Sequence, residues 1–420
     1  MRKWVADWLV LPTWRIIDHF TPKDFNCWAF VVHHLKSDQF VENSRAVFEA
    51  VKADPLITKI IFTRGIPHTF ELDGKVNTHI VDLQSIEGLK ALRRCGVLFV
   101  THSVTMDFSM RWPPRLFSVV KPSLRGRLII NLWHGIPLKK LLALANERVR
   151  NHTDRLSFRR RERAHYAGLI SSSAMDSHAM AAMFHPLHYD QMWVTGLPRT
   201  DFLVQPEALL PSYLREGLMR LQALKGKRRL IVYAPTYRQM KVSGASYYSF
   251  NEDEILDIRK LLERHDVVLG LRLHYFKNAD QLFNFESMID NDRVVELDHD
   301  RFPDISCVLR GADLVVTDYS SVYVDALFIE KPVFSFAYDY DHYRAEQDGL
   351  LYDMDIVFPG PLVQTSQALI EALDEELTSP SQTSSDRYRT ARKVFFDHFD
   401  DRNTERVLER VRRAMRSRLN

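Results

Sequence analysis

The chain has 420 residues, 45% of them hydrophobic and 26% charged, with a formal net charge of +3. That balance fits a soluble globular protein, excludes a disordered chain, and gives no global attraction to nucleic acid. The length exceeds one ordinary core, so two domains are expected.

The N-terminal stretch is apolar, but Asp7, Pro12 and Arg15 interrupt it well short of the roughly 20 apolar residues a membrane-spanning helix needs. Nothing in it resembles a signal peptide. Short β-branched runs then recur: Ala29–Val32, Lys59–Phe62, His79–Val81, Val97–Val100, Leu128–Ile130, Leu169–Ile170 and Met192–Val194. Helical patterns fall between them, as over Ser85–Arg94 and Ala174–Phe184. Strand–helix alternation of this kind predicts parallel sheets covered by helices. Cys27, Cys95 and Cys307 form no CxxC pair, zinc spacing or disulfide framework, which points to a reducing cytoplasm.

A helical break from about Gln205 to Lys227 separates the halves, and the alternation restarts at Leu230–Tyr233. It continues through a helix over Glu252–Arg264, strands at Val267–Leu271 and Val294–Leu297, a helix near Asp304–Arg310, a strand at Leu314–Val316, a helix from Ser320 and a strand at Val333–Phe336. The tail from Asp386 carries Val407, Leu408, Val411 and Met415 at helical spacing. The expected architecture is α/β: two Rossmann-like doubly wound domains facing a central cleft. Residues 1–205 form the first, 206–385 the second, and 386–420 a C-terminal helix packing back on the body. In such sheets ligands bind beyond the carboxyl ends of the strands.

Polar residues gather at those ends. Trp133-His134-Gly135 follows Ile130, and Thr195-Gly196-Leu197-Pro198-Arg199 follows Val194. Pro235, Thr236 and Arg238 follow Val232; Arg272, Leu273 and His274 follow the Val267 strand; Thr317-Asp318-Tyr319-Ser320-Ser321 follows Val316. Ser320 and Ser321 open a helix with Asp318 as its expected cap, and unpaired amides at a helix start suit phosphate oxygens. Arg199, Arg238 and Arg272 supply permanent positive charge for a diphosphate. Asp325, one turn past Ser321, either holds ribose hydroxyls or serves a capping or salt-bridge role.

GxGxxG, GxxxxGK[ST] and GxSxG motifs are absent, and no His, Cys and carboxylate cluster has metal spacing. No metal and no cofactor is expected, so a leaving group's charge falls to side chains and backbone amides.

The blocks WHGIPLK (Trp133–Lys139), GLPRTD (Gly196–Asp201), YAPTYR (Tyr233–Arg238), RLH (Arg272–His274) and TDYSSVYVDALFIEKPVFSFAYD (Thr317–Asp339), in this order, resemble the CDP-glycerol glycerophosphotransferase family. These are the teichoic-acid and capsule polyol-phosphate transferases. The resemblance covers roughly residues 125 to 350, and its last block is the most specific. It implies a two-domain GT-B-like fold and transfer of glycerol phosphate from CDP-glycerol to an acceptor hydroxyl, with release of CMP. It further implies His134 as catalytic base and His274 as the second essential histidine, at the leaving phosphate. Donor contacts carried over are Trp133, Gly135, Ile136, Pro137, Arg199, Pro235, Thr236, Arg272, Ser320, Ser321 and Asp325, to which the strand-end pattern adds Arg238 and Leu273. Three positions depart from the family: Ile136 stands where threonine is common, Tyr275 where proline often follows the histidine, and Asp348-Gly349 where Arg-Gly is usual.

The family's acceptors are usually lipid-linked saccharides or growing polyol-phosphate chains. The resemblance therefore implies a peripheral protein on the inner leaflet of the cytoplasmic membrane. Two segments offer themselves. One is the arginine-rich stretch Ala145–His165, with Leu156 and Phe158. The other is an N-terminal face of Trp4, Trp8 and Leu11 near Arg2 and Lys3. A solvated basic helix and a core-docked N-terminus are the plain alternatives. Rival functions are CDP-ribitol transfer, a GT-B nucleotide-sugar glycosyltransferase, and a non-catalytic membrane-associated binding protein. RNA binding by the arginines lacks any accompanying recognition module.

Overall fold

The computed structural model describes residues 3–33, 36–65, 67–112, 117–145, 157–236, 248–273, 285, 287–346 and 349–419. Of the expectations above, those on Arg2, Arg238, His274, Tyr275, Asp348 and residues 146–156 of the basic stretch lie outside the described residues. The chain divides into two compact units. Unit one comprises Met1–Gly135, Thr153–Phe202 and Asp400–Asn420; unit two comprises Ile136–His152 and Leu203–Phe399.

Unit one is built on seven parallel strands. In chain order they are β1 (Asp24–Val31), β2 (Thr58–Thr63), β3 (Thr78–Asp82), β4 (Cys95–Val100), β7 (Leu128–Asn131), β8 (Gly168–Ser171) and β9 (Met192–Val194). Between β4 and β7 stands an antiparallel hairpin, β5 (Met110–Trp112) and β6 (Phe117–Val120), which no sequence signal announced. The main sheet is ordered β3-β2-β1-β4-β7-β8-β9, so chain order reverses between β1 and β4. The strands read as apolar runs because helices bury both faces. Trp28 and Phe30 of β1 meet Phe99 of β4, the second pair stacked at 5.1 Å.

One buried ion pair fixes the start of β7. The Arg127 guanidinium receives the Asp18 carboxylate in a fork, 2.7 and 2.8 Å, with both side chains fully buried. Its other N–H groups reach the carbonyls of Cys95, Leu92 and Ser123, so all five donors are used. Lys23 adds a second cation to Asp18 at 2.8 Å. Asp18 lies on the helix Leu11–Phe20, which this network pins to the sheet.

That helix and the turns before it carry an exposed apolar row: Trp4, Trp8, Leu9, Ile16, Ile17 and Phe20, with Trp8 82% and Phe20 78% exposed. Leu11, expected on the outward face with Trp4 and Trp8, is instead buried, as is Ala6. The irregular winding over Ala6–Val10 rotates the face after that point. Among the described residues no helix is long and apolar enough to cross a membrane.

The tail is two helices rather than one. Asp386–Phe395 belongs to unit two, where Arg392 Nε donates to the Leu327 carbonyl at 2.8 Å. Asn403–Leu419 belongs to unit one. The Asp201 carboxylate accepts the amides of Asn403 and Thr404, 2.9 and 2.8 Å, at the positive end of that helix. Burial pushes the Asp201 carboxyl up to about 6. Gly196 makes this docking possible: its φ is +75°, and a Cβ there would stand 1.8 Å from Asn403 Oδ1.

Unit two has six parallel strands: β10 (Arg229–Tyr233), β11 (Val267–Leu271), β12 (Val294–Glu296), β13 (Leu314–Thr317), β14 (Val333–Phe336) and β15 (Leu362–Val363). They are ordered β12-β11-β10-β13-β14-β15, reversing between β10 and β13. The helix Glu252–Arg264 covers one face; Asn251 and Glu254 form a reciprocal capping box at its start.

Candidate active site

In unit one Trp133, His134 and Gly135 follow β7 and Arg199 follows β9, past the reversal between β1 and β4; in unit two Pro235, Thr236, Arg272, Leu273, Ser320 and Ser321 follow β10, β11 and β13, at or next to the reversal between β10 and β13. That is where open α/β sheets hold ligands.

In unit one the centre is His134. β7 ends at Asn131, and Trp133 turns the chain with φ +45°, a conformation unusual for a bulky residue. Two asparagines hold the turn: Asn131 Oδ1 accepts the Trp133 amide at 2.8 Å, and Asn43 Nδ2 donates to the carbonyls of Leu132 and Trp133. Asn43 Oδ1 also accepts the amide of Arg199 at 3.0 Å, so one buried amide joins the β7 and β9 loops. Trp133 is buried, with Phe184 edge-on at 4.8 Å and the His134 ring at 4.1 Å. It is a core tryptophan that also walls the histidine.

His134 Nδ1 lies 3.2 Å from the Thr101 carbonyl. A carbonyl only accepts, so this contact places the proton on Nδ1 and leaves the Nε2 lone pair for chemistry. Burial lowers the imidazole's pKa below its ordinary value, against the Glu42 carboxylate and the Thr101 bond, with Arg199 and His33 adding to the lowering. A neutral imidazole with one free nitrogen is a general base.

The Thr101 carbonyl is itself fixed. Asp107 Oδ2 accepts the amides of Thr101 and His102, 2.7 and 2.9 Å, and burial pushes the Asp107 carboxyl up to about 6. Arg64 Nη2 donates to the carbonyls of Met106 and Asp107. The Glu162 carboxylate accepts the amides of Val104 and Thr105. His102 lies against His134, ring centroids 4.6 Å apart and planes inclined by 20°. Asn43, Thr101, His102 and Asp107 were missed in the sequence. The signal was available for three of them, because Thr101-His102-Ser103 and Asp107 follow β4 just as the chosen motifs follow other strands. Asn43 carries no such mark.

In unit two the loops after β10 and β13 are stitched together. Asp318 Oδ1 accepts the amide of Thr236 at 2.9 Å, and also that of Tyr319; Thr317 Oγ1 donates to the Ala234 carbonyl at 2.7 Å. Asp318 is thus a cross-link between loops and not the expected cap of the helix Val322–Phe328. The N-cap position of that helix is Ser321, three residues beyond Asp318. Ser320 Oγ instead stands 3.4 Å from the Val322 amide. Ser320 and Ser321 are partly exposed beside it, while Pro235, Thr236 and Asp325 are buried. Arg272 Nη1 donates to the carbonyls of Leu297 and Asp298, 2.8 and 2.9 Å, which ties β11 to the end of β12. The Leu273 carbonyl accepts from His299 Nε2 at 3.0 Å. Arg238 and His274 lie outside the described residues.

The WHGIPLK block is divided between the units: Trp133, His134 and Gly135 close the first segment of unit one, while Ile136 and Pro137 open unit two. Ile136 and Pro137 are buried, and the residues after them pair with Leu350 and Leu351. Nearby, Tyr319 stacks on Tyr343 at 4.0 Å, and Lys139 Nζ stands 5.4 Å over the Tyr343 ring.

Two parallel doubly wound units in one chain, each with polar loops beyond its strand ends, define a GT-B-like fold. A sequence model described as CDP-glycerol:poly(glycerophosphate) glycerophosphotransferase matches residues 16–413. The chain belongs to that family. It is 26% identical over 358 residues to a teichoic acid poly(glycerol phosphate) polymerase of Bacillus spizizenii, covering 81% of this chain and 84% of the relative. It is 28% identical over 299 residues to a teichoic acid glycerol-phosphate transferase of Staphylococcus aureus, covering 67% and 70%. Among solved structures the wall teichoic acid polymerase TagF superposes with a TM-score of 0.71 at 21% identity, covering 95% of this chain and 91% of that one. At that identity the likeness speaks for the fold.

Proposed function

We propose that this protein transfers glycerol phosphate from CDP-glycerol to an acceptor hydroxyl in cell-wall polymer synthesis, releasing CMP, with His134 as the base. The observation that supports the role of His134 is its Nδ1 contact with the Thr101 carbonyl, which puts the ring proton on Nδ1 and leaves Nε2 as the nitrogen able to accept one. The acceptor oxygen attacks the distal phosphorus of the donor, its proton passes to Nε2, and the bond to the CMP oxygen breaks. Unit two takes the donor role. Ser320 and Ser321 meet phosphate, Arg238, Arg272 and His274 carry the leaving group's charge, and Pro235, Thr236, Leu273 and Asp325 shape the nucleotide side. Gly135, Ile136 and Pro137 give the backbone its path past the donor, and Arg199 adds positive charge beside the base.

The deciding experiment supplies purified protein with CDP-glycerol, CDP-ribitol and UDP-sugars, with and without membrane extract, and measures released nucleotide. CMP from CDP-glycerol in the presence of extract supports the reading. Turnover of CDP-ribitol or a UDP-sugar alone overturns the donor assignment, and no turnover of any donor favours a binding protein.

The acceptor is a lipid-linked saccharide or polyol-phosphate chain, reached from the cytoplasmic face of the membrane. The support for surface binding is the row Trp4, Trp8, Leu9, Ile16, Ile17 and Phe20. Aromatic side chains at this density insert at the headgroup boundary. Trp8→Glu with Phe20→Glu is expected to weaken flotation with anionic vesicles at least about tenfold, leaving CMP release on a water-soluble acceptor unchanged. Equal flotation of variant and parent sinks the idea.

A further inference from the structure

His134 is not a solitary imidazole. The ring of His102 stacks on it at 4.6 Å, and His102 is itself held from the other side of its loop. Its Nδ1 lies 3.1 Å from Thr101 Oγ1 and 3.7 Å from Asp107 Oδ1, and its amide donates to Asp107 Oδ2. The loop that presents the His102 ring also presents the Thr101 carbonyl that orients His134. One buried carboxylate, Asp107, therefore sets both contacts of the base.

We infer that His102 is a positioning residue for His134, fixing its ring plane by stacking and titrating jointly with it. The inference rests on the reading of His134 as base. Two stacked imidazoles this close cannot both carry charge without strong repulsion, so each proton's binding depends on the other. When His102 is neutral, its π face supports the imidazolium formed as His134 takes the acceptor's proton. When His102 is protonated, His134 is a weaker base. Among the described residues, Glu42, Arg199 and His33 act on His134. Asp107 faces His102, and Arg64 and Glu162 act on Asp107.

The test compares the full-length parent with His102→Phe and His102→Ala. NMR titration of labelled histidine rings is expected to give a two-step curve for His134 in the parent and a one-step curve in His102→Phe. In turnover, His102→Ala is expected to lose about tenfold or more in plateau kcat, as misorientation of a base does, with the donor KM within about twofold. His102→Phe, which restores a stacked ring, recovers most of that loss while its acid limb becomes that of a single group. A one-step His134 curve in the parent with the same midpoint in His102→Phe overturns the inference. Because the NMR readout does not need turnover, it stands apart from the base assignment, which fails separately if His134→Ala remains active.

Discussion

His134→Ala is expected to lower kcat for CMP release by about two to four orders of magnitude, the usual contribution of a positioned general base. The thermal midpoint should stay close to the parent's, because the turn is held by Asn43, Asn131 and buried Trp133 rather than by the imidazole. The pH dependence carries a sign. An imidazole of ordinary pKa, about 6.5, would be half protonated there, but burial lowers the pKa of His134. The neutral base therefore persists as the pH falls past that value, and the acid limb of kcat/KM for the parent is expected to lie on the acid side of about 6.5. A variant with parental kcat, or a parental limb centred well above neutrality, removes His134 from the role of base.

The second large effect is expected at the start of β7, the end opposite His134. Asp18→Ala leaves the Arg127 guanidinium fully buried with its charge uncompensated, and breaking such a pair costs about 3–5 kcal/mol. Urea unfolding of parent and variant measures it directly. Burial raises the Asp18 pKa, but the Arg127 and Lys23 contacts outweigh that and hold it below the ordinary carboxylate value of 3.8. With the folded pKa depressed, the stabilisation is present above the ordinary value and is lost only as pH falls through the lower, folded one. The clamp therefore survives mild acid. Replacing all three partners, as in Asp18→Leu with Arg127→Met and Lys23→Met, is expected to recover most of the loss, since no lone charge then remains buried. A loss below about 1 kcal/mol in Asp18→Ala, the scale of an exposed pair, would refute the clamp.

Much of this was legible because parallel strands announce themselves as apolar runs and deliver their functional residues at one end. That rule marks His134, Thr236, Arg272 and the serine pair as candidates. Applied to Val97–Val100, the same rule marks His102 as well. Other features were not legible for physical reasons. Asp318 has the spacing of a helix cap, yet its oxygen is taken by the amide of Thr236 from another strand, and a long-range partner leaves no local pattern. Leu11 was placed on the outward face by assuming a regular helix through Ala6–Val10, where the winding is irregular. Asn43 is an unremarkable polar residue in sequence; only the fold brings the β7 and β9 loops to it.

The assignment of Asn403–Leu419 to unit one bears on how the protein is made. Unit one draws on three separated segments, and Asp201 has no amides to receive until Asn403 and Thr404 exist. On the ribosome, nearly all of unit two is synthesised before unit one can be finished. The nascent chain must therefore carry an incomplete first unit, with its Asp201 site open, through almost 200 residues of elongation, about 10–40 s at ordinary synthesis rates. A gene fragment ending near Phe399 would encode all of unit two while leaving unit one without its closing helix.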